Sequence, residues 1–98
     1  MEFDDLLTED ARLVILRALE KDLGYSHNES ILHSFVEIYG HACSRDKIRT
    51  NLTWLQEQGL VTLKTVGTIY VATITQRGAD VATGRAVVPG VKRPAPGA

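Results

Sequence analysis

Ser44-Arg45-Asp46-Lys47-Ile48-Arg49-Thr50-Asn51-Leu52-Thr53-Trp54-Leu55-Gln56-Glu57-Gln58-Gly59-Leu60-Val61 holds a helix cap, an amphipathic helix, a helix stop and a strand entry, in that order. A serine side chain accepts from the free amides of a first turn, and Asp46 suits the positive end of the helix dipole. Ile48, Leu52 and Leu55 recur on one face, and Gly59 takes the left-handed position that closes a helix. The spacing predicts a helix over residues 44–58. Beyond it the period changes. Leu60-Val61-Thr62-Leu63-Lys64-Thr65 and Ile69-Tyr70-Val71-Ala72-Thr73-Ile74 are rich in β-branched residues and flank Val66-Gly67-Thr68, the pattern of a β-hairpin. Thr75 then caps a short helix over residues 76–83, stopped by Gly84.

Upstream, Thr8 is a candidate cap for a helix over residues 8–23, with Glu9 and Asp10 in its first turn. Ala11, Val14, Ile15, Ala18 and Leu19 form one continuous face, which Leu16 and Leu23 widen, while Leu13 lies nearly opposite. That stripe is broader than one core contact needs, so a second subunit is expected to cover part of it. Gly24 ends this helix and Asn28 caps the next, whose Ile31, Leu32, Phe35, Val36, Ile38 and Tyr39 run to Gly40. The expected order is helix-helix-helix-strand-strand-helix. This is a mostly α, α+β chain with a β-hairpin wing, the layout of a winged helix-turn-helix. The domain spans residues 1–84. Residues 85–98, with three prolines and two glycines, are expected to be an extended or disordered basic tail.

Ninety-eight residues make one domain, and 44% apolar with 23% charged is ordinary for a globular chain. No stretch approaches the ~20 apolar residues of a membrane span. The acidic start Glu2-Phe3-Asp4-Asp5 is unlike a signal peptide, and the single Cys43 forms no internal disulfide, so a cytoplasmic location is expected. Charge is uneven. Residues 1–44 hold nine acids and three bases, and residues 45–98 hold eight bases and three acids, as if one half faced a polyanion.

The stretch from Ser44 to Val61 resembles the recognition helix and first wing strand of arsenic-repressor-like and multidrug-resistance-regulator-like bacterial proteins. They share the Ser/Thr cap, the leucines three apart and the Gly-Leu-Val exit, and Ile74-Thr75-Gln76-Arg77-Gly78 is similar to their entry into the helix after the wing. This resemblance covers about residues 8–84 and implies the fold. The whole chain also resembles small winged-helix proteins of Mu-like bacteriophages, through Glu9-Asp10-Ala11-Arg12-Leu13-Val14-Ile15-Leu16 and Val88-Pro89-Gly90-Val91-Lys92-Arg93-Pro94.

With Ile48, Leu52 and Leu55 facing inward, the third helix turns Arg49, Thr50 and Thr53 outward, flanked by Lys47, with Arg45 near its start. Arginine and threonine read base edges in the major groove, and lysine meets phosphate. The resemblance implies base reading for Arg49 and Thr50 and phosphate contact for Ser44 and Arg45. Asp46 and Glu57 share this face and oppose a polyanion. Trp54 could stack on a base, but the resemblance implies a partly buried position against the wing, and packing is expected. Lys64 is the wing's one cation. Lys92 and Arg93 suit a minor-groove arm, while Val87 and Val88 suit packing on the first helix or a second subunit, and a solvated end is as compatible with the composition.

No metal and no cofactor is expected. Cys43 has no cysteine partner, His27 and His33 stand on different faces, and His41 beside Cys43 supplies only two ligands. No nucleophile elbow, phosphate loop or paired-carboxylate motif is present, and the chain is not expected to be an enzyme. The expected function is a double-stranded DNA-binding phage or prophage regulator, acting as a homodimer through residues 8–23 and the tail. The alternative is a winged-helix adaptor that binds protein, which the acidic first half and sparsely charged wing also suit.

Overall fold

The computed structural model describes residues 2–22 and 26–95. Its elements are α1 (Phe3–Glu20), β1 (Ser26–Asn28), α2 (Glu29–Ile38), α3 (Arg45–Glu57), β2 (Val61–Val66), β3 (Ile69–Ile74) and α4 (Gln76–Ala82). The protein is α+β, with four helices among the described residues and an antiparallel sheet ordered β1-β3-β2. The expected order lacked β1. Three residues are too few to show alternation, and β1 exists because β3 offers its free edge: Ser26 pairs with Thr73 and Asn28 with Val71.

Three caps act as the sequence indicates. Asn28 Oδ1 accepts from Ile31 N at 2.9 Å, Ser44 Oγ from Lys47 N at 3.1 Å and Thr75 Oγ1 from Gly78 N at 3.0 Å. Thr8 is not a cap. α1 begins at Phe3, where Asp4 and Asp5 suit the dipole, and it ends at Glu20. Leu23 and Gly24, read as its end, lie outside the described residues. The hairpin closes through Gly67 and Thr68, with positive φ at Gly67.

Ile48, Leu52 and Leu55 of α3 are fully buried with Leu60, Leu32, Val36 and the α1 residues Ile15, Leu16 and Leu19. Each such side chain contributes about 2 kcal/mol. α4 joins this core by close backbone approach: Gly78 lies where a Cβ would strike the Leu60 carbonyl, which Thr75 N also meets at 3.1 Å.

The wide stripe of α1 is covered by the chain itself. Leu13, expected opposite the stripe, and Val14 are buried beside Ile15, Leu16 and Leu19, and α1 packs on α2, β3 and α4. Of the apolar residues expected on that stripe, Ala11, Val14, Ile15, Leu16 and Leu19 pack within the chain, and Leu23 lies outside the described residues. The remaining cover comes from the tail. Residues 85–95 contain neither helix nor strand, yet Val88 and Val91 are buried in the core, and Lys92 N donates to Glu9 O at 3.1 Å. Val88 packs as the sequence allowed, whereas Val87 is 58% exposed.

Candidate nucleic-acid interface

Glu29 organises the face on which most of the sequence-derived residues lie. As the first residue of α2 it is buried, beneath both the start of α3 and the hairpin. Its Oε1 accepts from Tyr70 N at 2.7 Å, and its Oε2 accepts from Arg45 Nη1 at 3.4 Å. Arg49 Nε stands 3.9 Å from Oε1. A buried carboxylate is tolerable only with such partners, and here they come from α3 and β3 together.

Arg49 is the second strut. Its guanidinium lies over the Tyr70 ring, 4.2 Å from the centroid, and Nη1 donates to Thr68 O at 3.3 Å. The adjoining Tyr70 side chain, and next among the raising influences the charge of Glu29, push its pKa up. The residue expected to read bases thus spends its fork on the hairpin, although 35% of its side chain stays accessible.

Ser44, Arg45, Lys47, Thr50, Thr53 and Lys64 are exposed. Thr50 Oγ1 donates to Asp46 O and Thr53 Oγ1 to Arg49 O, both at 3.0 Å, so each hydroxyl keeps only acceptor capacity toward solvent. Arg49, Thr50 and Thr53 share one shallow surface concavity with Asp46, Trp54 and Glu57. Lys92 and Arg93 stand apart, on the tail where it crosses α1. Both are exposed, and Lys92 Nζ lies 3.4 Å from Asp10 Oδ1.

Trp54 packs beneath the tail and shares its concavity with Tyr70 of the hairpin. Arg12 covers its ring at 3.8 Å from the centroid while donating from Nε to Asn51 Oδ1 at 3.1 Å and from Nη1 to Gly90 O at 3.0 Å. Burial lowers the pKa of Arg12, and the nearby Glu9 acts in the opposite sense. Gly90 has φ +99°, and a Cβ there would fall 2.6 Å from Trp54 Cζ2, so the position suits glycine alone.

His41 and Cys43 do not form a reactive pair. His41 is hydrogen-bonded to Asp10 Oδ2 at 2.7 Å, and His33 Nε2 meets the Cys43 carbonyl at 2.6 Å. Burial raises the thiol pKa of Cys43, and Glu37 raises it further, against the thiolate a nucleophile needs. Among the described residues no group of three His, Cys, Asp or Glu side chains is placed to hold a metal, and no helix is long and apolar enough to cross a membrane. Sequence reasoning missed Glu29, Tyr70, Arg12 and Asn51 as organisers. Glu29 reads as an ordinary first-turn acid, and no spacing links it to residues 45, 49 or 70.

The fold and this clamp define a small α+β protein that presents the start of one basic helix and a β-hairpin on a shared face. No protein-family model matches the chain. Over 93 residues it is 55% identical to the uncharacterized protein gp26 of Escherichia phage Mu, spanning 95% of this chain and 96% of that one. It is also 51% identical over 78 residues to an uncharacterized protein of Haemophilus influenzae, spanning 79% of this chain and 76% of that one. The chain belongs to the family of the Mu protein gp26, a family of Mu-like bacteriophage proteins.

Proposed function

We propose that this protein is a winged helix-turn-helix that binds double-stranded DNA, with α3 in the major groove and the β2–β3 hairpin as its wing, and that it regulates transcription for a phage or prophage. The observation that carries the reading is the Glu29 clamp. It ties the cap of α2, the start of α3 and the hairpin into one unit, so a helix narrow enough for the ~12 Å groove is held rigidly beside a wing. Ser44, Arg45 and Lys47 cluster at the end of α3 that would enter first, where phosphate contact is favoured by both charge and dipole.

The base-reading assignment narrows. Arg49 is committed to Tyr70 and Thr68, so Thr50 and Thr53 are the free readers. Their hydroxyl protons are used within the helix. They accept from adenine N6 or cytosine N4, or set a methyl against the thymine methyl, and so do not favour a guanine-centred site. Lys64 adds sequence-independent phosphate contact from the wing, and Lys92 and Arg93, on the tail across α1, add it only where the duplex extends past α3.

The test is binding of the purified protein to random duplex, and to duplex flanking its own gene, at two salt concentrations. The expected result is preference for the flanking DNA and a loss of affinity with salt. Lys47→Ala is expected to weaken all duplexes alike and to lower the salt slope by about 1. A folded protein that binds neither duplex at low salt refutes the proposal. The second reading, a protein-binding adaptor, draws on the outward face of α2, where Ile31, Ile38 and Tyr39 are 53%, 78% and 54% exposed. A pull-down that fails in Ile38→Glu while DNA binding is absent selects it.

A further inference from the structure

Between the first turns of α1 and the start of α3 runs a cleft of about 400 Å³, floored by the turn Gly40 to Cys43. Its α1 wall is Leu7 and Ala11, and its α3 wall is Lys47 and Asn51, one helical turn apart on the same face. The volume falls in the range of small-molecule sites. Asn51 is 1% exposed, and its Nδ2 is the one buried side-chain polar atom without a partner among the described residues. Asn51 lines the cleft and its Oδ1 is taken by Arg12, a residue that does not line it, which leaves the amide nitrogen as the free group of this side chain. An orphaned buried donor of this kind costs about 1–3 kcal/mol unless an acceptor reaches it. Lys47 is exposed and has no ion-pair partner among the described residues, although Asp4 lines the same cleft; Asp10, outside it, is held by His41 and Lys92.

From this geometry we propose that the cleft binds a small organic carboxylate with an apolar body. One carboxylate accepts from Asn51 Nδ2 and from Lys47 Nζ, and the apolar part lies along Leu7, Ala11 and Ala42. The exposed Asp4, in the first turn of α1, also lines the cleft, and like charge keeps the ligand's carboxylate away from it. The proposal rests on the cleft alone and stands whether or not the protein binds DNA.

The test is an NMR titration of the DNA-free full chain with benzoate and with cyclohexanecarboxylate, following the Asn51 side-chain amide and the backbone amides of residues 40–47. Benzamide serves as the uncharged counterpart. The expected result is a saturable shift of the Asn51 amide by a carboxylate, at least tenfold weaker binding of benzamide, and the same loss in Lys47→Ala. Leu7→Trp, at a half-exposed position, fills the cleft without touching the core and is expected to abolish the shifts. No saturable shift with either acid overturns the proposal, as does binding that survives Leu7→Trp. Equal binding of benzamide and benzoate overturns the assignment of a carboxylate.

Discussion

Two arginines lie over two aromatic rings in this molecule, and they do different jobs. Arg49 covers Tyr70 beside the buried Glu29 carboxylate, and Arg12 covers Trp54 with only neutral oxygens, from Asn51 and Gly90, as acceptors. At the α3–hairpin clamp the interior charge belongs to the acid, so the arginines are its counterions and stay within reach of solvent. Under the tail the arginine itself is desolvated without a carboxylate hydrogen-bonded to it, and burial accordingly pulls its pKa down. A buried acid makes its neighbours obligatory. A stacked arginine between carbonyls makes a reversible seam.

The largest break in this comparison is expected from Glu29→Ala, which leaves Tyr70 N without its acceptor and removes the counterion of Arg45 and Arg49. Urea denaturation should show a loss of about 3 kcal/mol. Glu29→Gln, which can still accept from Tyr70 N, should lose less than half of that. Gly90→Ala comes next, at about 2 kcal/mol, because the new Cβ meets Trp54 and φ +99° is strained for alanine. Arg12→Ala should cost about 1.5 kcal/mol through the lost stack and two hydrogen bonds. If Arg12→Ala proves as costly as Glu29→Ala, the distinction between clamp and seam fails. A double-mutant cycle sharpens it: Arg12→Ala and Gly90→Ala should couple by more than about 0.5 kcal/mol, while Arg12→Ala and Glu29→Ala should add. The smallest effect, about 0.5 kcal/mol and erased by salt, is expected for Lys92→Ala, whose partner Asp10 is also open to water.

The sequence speaks clearly wherever a local rule settles the matter. Ser44, Asn28 and Thr75 were legible as caps because a cap needs only its own side chain and an amide three residues on. Ile48, Leu52 and Leu55 were legible as core because helical spacing alone places them on one face. The start of α1 was misplaced because a threonine before two acids looks like a cap whether or not the helix has already begun. β1 is not legible because its pairing belongs to β3, about 45 residues further along the chain. The candidate site was half legible. The exposed side chains of α3 follow from its period, but the partners of Arg49 and Trp54 come from the hairpin and the tail, at separations that no local pattern encodes. The breadth of the α1 stripe reads as a surface for a second copy, whereas its described residues pack on α2, β3 and α4, with Val88 and Val91 of the last segment joining the same core.

Trp54 is the only tryptophan of the chain, and its ring is roofed by the guanidinium of Arg12 and the backbone of Gly90. Its fluorescence is therefore a label already in place. Lifting the tail takes the Gly90 backbone off the indole and removes one acceptor of the Arg12 guanidinium, which admits water and shifts the emission to longer wavelength. Tail release can thus be timed by stopped flow on the unmodified protein, separately from global unfolding followed by circular dichroism.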